Sequence, residues 1–263
     1  MYSLPEGIST FPITISSKNF DDLFNPGSSK TSCPNNHAAY KKYWKKRFSD
    51  MEDSIKPFEE YINKAGLSPK KIFNSSIWTI ENIGTLESEL RGWENYYGKS
   101  YPNISEDIKP KLRSIHSAKF TAQFEDDTIR RAWSFKLAKN ILEGMEDFVQ
   151  GSSNRKKLRL LIGHDTGVHC FTIGYNLTSS ACHMQMVRGE QSSAKCEHSP
   201  QYASTYIYEL VQDIDLQYYV RVIYDGLPVA VCKDNKNDHY CMFSDFQREI
   251  RERFYMDEKA YIQ

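Results

Sequence analysis

The chain of 263 residues is long enough for one large domain, or for a domain carrying a sizeable insertion. A hydrophobic share of 40% with 13% aromatics can fill a core, which excludes a wholly disordered chain. Lys and Arg, 34 in all, cancel 34 Asp and Glu, and this zero balance lacks the basic footprint of a nucleic-acid binder, so no nucleic-acid partner is expected.

No apolar stretch reaches the length of a bilayer crossing, so no membrane span is expected. The start, MYSLPEGISTFPITI, has neither a charged n-region nor an unbroken apolar h-region, and no signal peptide is read in this chain. Residues Ile8 to Ser16 (ISTFPITIS) are β-branched and predict a strand whose proline favours an edge. Asn25 to Asn36 is a turn-rich loop. From His37 to about Lys64 the apolar residues Tyr40, Trp44, Phe48, Met51 and Ile55 recur at helical spacing, with Pro57 expected to bend or interrupt the helix. The basic run KKYWKKR at 41–47 reads as a solvated face of that helix. Gly66-Leu67-Ser68-Pro69 marks a stop and a new start.

Residues 70–97 predict one or two helices on Ile77, Ile80, Leu86, Leu90 and Trp93, and Tyr97 to Pro110 a loop. A long helix follows over about Ser114 to Val149, with a candidate break at Asp126-Asp127 and a packing stripe of Ala132, Leu137, Ile141, Met145 and Phe148. After a polar connection, Leu158 to Ile162 is an apolar run interrupted by Arg159, the pattern of a strand covered on both faces. A helix is expected from about Thr166 to Leu177, then a Ser-rich loop over 178–201. Thr205 to Val211 and Tyr218 to Tyr224 read as strands, Asp225-Gly226 as a tight hairpin turn into Leu227 to Val231, and Ser244 to Phe254 as a closing helix. That order suits an α/β layered domain with an inserted helical block.

His164-Asp165 lies directly after the 158–162 segment and before a helix, where open α/β sheets bind ligands and where helix N–H groups suit an anion. An aspartate there acts as a general acid only where burial or a neighbouring phosphate favours its protonated form. The plainer reading makes Asp165 an N-cap and His164 a loop residue. Two Cys/His clusters, Cys196-Glu197-His198 and Cys232 with His239-Tyr240-Cys241, lack CxxC or HExxH spacing, and no metal site is expected. A disulfide between Cys232 and Cys241 across the polar loop KDNKNDHY fits better, while Cys170 reads as a buried free thiol. Sequons at Asn74, Asn103 and Asn176 are candidate glycosylation sites.

In sequence order, ILEGMEDF (141–148), KKLRLLIGHDTGV (156–168), YASTYIYELVQD (202–213), YYVRVIYDGLPVAVC (218–232) and CMFSDFQREI (241–250) resemble the C-terminal two-thirds of the histidine acid phosphatases, a branch of the phosphoglycerate-mutase-like fold. The loop Ser32-Cys33-Pro34 is similar to the family's middle region. The resemblance implies a single layered α/β/α domain over 1–263, with a mostly helical cap over 37–150 and a C-terminal α/β part over 156–254. By the same resemblance Asp165 protonates the leaving group, His164 helps bind the phosphate, the substrate is a small phosphomonoester and no cofactor is used. Secretory or lysosomal placement, glycosylation and disulfides are implied as well.

One departure is severe. The family's nucleophilic histidine sits in an Arg-His-Gly-x-Arg motif, and this chain contains no Arg-His and no His-Gly dipeptide. A phosphohistidine mechanism needs that nucleophile, so the chain is expected to lack the N-terminal strand that carries it and to be inactive alone. A truncated gene model is one account; a non-catalytic relative that binds a phospholigand or a protein is the alternative. Without its neighbouring strand, the 158–162 segment is expected to expose an apolar edge.

Overall fold

A computed structural model describes residues 34–257 apart from 101–103, 154, 192–194 and 233–238; the expected strand at Ile8–Ser16 and Cys33 lie outside the described residues. In chain order it contains α1 Pro34–Lys64, α2 Pro69–Phe73, α3 Ile80–Tyr97, α4 Lys109–Ala122, α5 Asp127–Val149, α6 Asp165–Gly174 and α7 Ser180–Arg188. The strands β1 Tyr206–Gln212, β2 Tyr218–Tyr224, β3 Leu227–Val229 and β4 Tyr240–Met242 follow, and α8 Phe243–Phe254 closes the order.

Local chemistry sets most helix starts. Ser68, Thr79, Asp126 and Ser179 each stand one residue before a helix, and each side chain accepts a backbone N–H of the first turn. Thr79 and Asn82 complete a reciprocal capping pair. Gly98 and Gly189 end α3 and α7 in the left-handed region, where a side chain would be strained.

The helices α1, α3, α4 and α7 share one apolar core built on Ile55, Ile62, Ile80, Ile83, Leu112, Ile115 and Met184. A second core lies under the sheet, where Leu142 of α5, Phe171 of α6 and Phe246, Ile250 and Phe254 of α8 meet Val220 and Val222 of β2. Phe124, Trp133, Cys170 and Ile173 form a smaller cluster at the junction of α4, α5 and α6, with Tyr40 of α1 packed against it.

Among the described residues the sheet is antiparallel: β2 pairs with β1, β3 and β4. Along β2, Val220, Val222 and Tyr224 are buried while Tyr219, Arg221 and Ile223 are less so, the alternation of a sheet covered on one face. Ile207, opposite Ile223, is 46% exposed. Among the described residues helices therefore cover one face of the sheet; a helix-rich α/β arrangement is present, and a second helical layer is not seen there.

Four expectations require correction. Leu158 to Ile162 is not a buried strand: it pairs with no strand among the described residues, and Leu158, Leu160 and Ile162 are 77%, 78% and 79% exposed. An extended segment without a ladder partner leaves its backbone and both side-chain faces to solvent. Pro57 does not break α1, because Ile55, Phe58 and Ile62 are buried on either side of it. Pro57 and Asp53 are both exposed, so the carbonyl that proline deprives of a donor can be hydrated. The Ser-rich stretch 178–201 is not all loop; α7 occupies Ser180–Arg188. The helix expected at Thr166–Leu177 begins at Asp165 and ends at Gly174.

Candidate functional site

The N-terminus of α6 carries both candidate residues. His164 is the N-cap, with extended backbone and no capping hydrogen bond from its side chain, and Asp165 is the first helical residue. Both are exposed. Asp165 Oδ1 accepts the backbone N–H of Thr166 at 2.8 Å, the one side-chain hydrogen bond of the pair among the described residues. The Thr166 hydroxyl beside it is buried and has no partner among the described residues. An exposed imidazole at a helix N-terminus suits an anion such as a phosphate oxygen, although Asp165 itself takes the Thr166 N–H.

α6 is fixed from behind. Cys170 and Phe171 are buried, Gly167 packs against Leu137 of α5, and Gly174 lies under the Phe254 ring of α8. The basic residues nearby in sequence do not converge on the pair. Arg159 donates to the Asn140 carbonyl of α5 at 3.1 Å, and Arg155 lies over the Phe148 ring. Among the described residues no arginine and no second histidine is hydrogen-bonded to His164 or Asp165. An open depression of about 510 Å³ lies elsewhere, lined by Val211, Gln212, Asp213, Tyr219 and Tyr240.

Two disulfides are present, Cys182–Cys196 and Cys232–Cys241, and Cys170 is a buried free thiol whose pKa is pushed up by burial. Asn74 and Asn176, both at positive φ, are exposed, whereas Asn103 lies outside the described residues.

Sequence reasoning missed a second cluster. Cys182, His183 and Cys196 place their ligand atoms within 4.8 Å of one another, and His198 stacks on His183 with ring centroids 5.3 Å apart. Its signal was the Cys-His pair at 182–183, which a loop assignment concealed. Burial lowers the pKa of His183 to about 3, that of His169 to about 3 and that of His116 to about 4, so all three are neutral near pH 7. His169 Nε2 lies 2.9 Å from Thr121 Oγ1, and His116 Nδ1 lies 2.9 Å from the Gly84 carbonyl.

No family model matches the chain, and no curated protein matches it by sequence. Its fold is similar to that of a phytase. The apo form of the Hafnia alvei phytase aligns with a TM-score of 0.52 over 88% of this chain at 14% identity. This chain spans 66% of that phytase's length. The likeness supports a phosphatase-like α/β fold.

Proposed function

We propose that this chain carries the leaving-group half of a histidine acid phosphatase site. His164 binds a phosphate oxygen, Asp165 supplies the proton to the leaving group, and the ligand is a small phosphomonoester. The observation that carries this reading is the exposed His164-Asp165 pair at the start of α6, in a fold similar to that of a phytase. The helix N–H groups add a site for the phosphate. With no Arg-His-Gly motif in the sequence, the chain as it stands has no nucleophile to form a phosphohistidine, and it binds without turning over. The two disulfides fit a secreted protein, and the exposed Asn74 and Asn176 are its candidate glycosylation sites.

A second reading, a relative that binds a protein partner without catalysis, is favoured by the exposed row Leu158, Leu160 and Ile162 leading into the same turn.

The test has two arms. Hydrolysis of p-nitrophenyl phosphate at acidic pH is expected to show no turnover beyond that of Asp165→Asn. Turnover lost in that variant would overturn the claim of inactivity. In the second arm, inorganic phosphate titrated by NMR is expected to shift the His164 ring resonances. No shift at His164 would sink the phosphate-site reading and leave protein binding.

A further inference from the structure

A separate site lies at the base of α7 and does not depend on the phosphatase reading. We propose that, once the Cys182–Cys196 disulfide is reduced, Cys182, Cys196 and His183 hold one thiophilic divalent cation of the zinc class. The two sulfurs and His183 Nδ1 are its ligands.

The imidazole is already oriented for this. His183 is fully buried, and its Nε2 faces the Glu197 carbonyl at 3.2 Å and Thr178 Oγ1 at 2.8 Å. In the tautomer that donates Nε2–H to the Glu197 carbonyl, Nδ1 carries a lone pair. That lone pair points at Cys196 Sγ, 3.4 Å away. A thiolate at roughly 2.3 Å and an imidazole nitrogen at roughly 2.0 Å from one tetrahedral zinc lie roughly 3.5 Å apart. The observed separation matches that spacing. An imidazole held through its far nitrogen by a carbonyl is also the usual support of a metal-bound histidine.

The sulfurs are close enough to converge again after separation. Cys182 sits in the first turn of α7, whose N-cap is Ser179, and the two Cα atoms are 5.8 Å apart. Ser180 is anchored by Glu125, which accepts from its backbone N at 2.5 Å and its hydroxyl at 2.7 Å, so that turn is held independently of the disulfide. Cys196 lies outside the helices and strands, next to Glu197, whose backbone N–H donates to the Leu177 carbonyl at 2.9 Å. Three protein ligands leave a fourth position for water, and the His183 ring is backed by the stacked His198.

The chemistry balances with a dithiol or phosphine as reductant. Two electrons cleave the Sγ–Sγ bond and each sulfur takes up one proton; a dithiol supplies both protons and becomes its disulfide, whereas a phosphine becomes its oxide with the oxygen and both protons coming from one water. Binding the cation then releases both thiol protons to solvent while His183 stays neutral.

Cobalt(II) titration of the full chain, oxidised and phosphine-reduced, reads the site directly through thiolate-to-cobalt charge-transfer absorption. One equivalent is expected on the reduced chain, with loss of the band in the oxidised chain and in Cys182→Ser/Cys196→Ser. The band is expected to persist in Cys33→Ser/Cys232→Ser/Cys241→Ser, which leaves the site intact. His183→Ala is expected to weaken cobalt binding at least tenfold while circular dichroism stays unchanged. Absence of the band from the reduced chain, or its survival in Cys182→Ser/Cys196→Ser, would overturn the proposal.

Discussion

Replacing Gly174 with alanine drives a methyl group into the ring of Phe254. A Cβ built at Gly174 lies 2.5 Å from Phe254 Cζ and 3.3 Å from Cδ1, and is closer still to Cε1. Carbon atoms in contact prefer about 3.5–4.0 Å. The ring has no free direction: Phe254 is fully buried, with Phe171 at 4.5 Å and Tyr175 at 5.2 Å between centroids. Such overpacking costs about 1–3 kcal/mol. A mid-helix glycine-to-alanine change gains about 1 kcal/mol, and Gly174 is the last residue of α6, so the gain is smaller. The net expectation is a loss of about 2 kcal/mol, or about 4–8 °C in Tm for a chain of this size. Urea unfolding followed by circular dichroism measures it. Phe254→Leu should make room for the methyl, so Gly174→Ala should cost much less in that background than alone. If Gly174→Ala proves as stable as the parent, the close approach of α6 and α8 is wrong.

Acid should weaken the fold through its buried histidines, and His169 isolates the effect. Its folded pKa of about 3 lies below the unfolded value of 6.5, so between those pH values the unfolded chain binds the extra proton. Stability is full above pH 6.5 and falls as pH drops toward the folded value, on the order of 3 kcal/mol from this one group by pH 4. The positive charge would face His183 and His116, whose own charging opposes it, and Thr121 and Phe120 offer no carboxylate. His169→Gln should shrink the difference in urea-unfolding free energy between pH 7 and pH 4 by that order; an unchanged difference rules out His169 as its source. Leu160→Ser/Ile162→Ser should alter stability by less than about 0.5 kcal/mol, because both residues are exposed. A loss of several kcal/mol in urea titration would show that this segment is packed after all.

Where an element carries its own start and stop chemistry, the sequence was a sound guide. The break between α4 and α5 falls at Asp126, which caps α5, and Asp225-Gly226 turns β2 into β3. α7 had equally plain signals, Ser179 and Gly189, but serines around it favoured a loop reading. Leu158–Ile162 failed for another reason. An apolar run states that burial would be favourable and says nothing about whether a partner is present to provide it. For the same reason the His164-Asp165 turn was legible as a position, while the lack of converging arginines was legible only as a missing motif. Of the cluster around His183 only the Cys-His pair at 182–183 was legible, because the rest joins α7 to a segment beyond it through a disulfide that spacing did not single out.

The two cores also differ in when they can close as the chain emerges during synthesis. Among the described residues no buried residue of the first lies beyond Val187, so those it packs are available once α7 has been made. The second waits for Phe246, Ile250 and Phe254, and for the ion pair that Arg251 makes back to Glu146 on α5. Until α8 arrives, the apolar residues of α5, α6 and β2 that pack against it lack that cover, beside a helical half that can already be folded. α8 is thus the lid of the second hydrophobic interior, and the interval before it docks leaves that apolar surface open to aggregation.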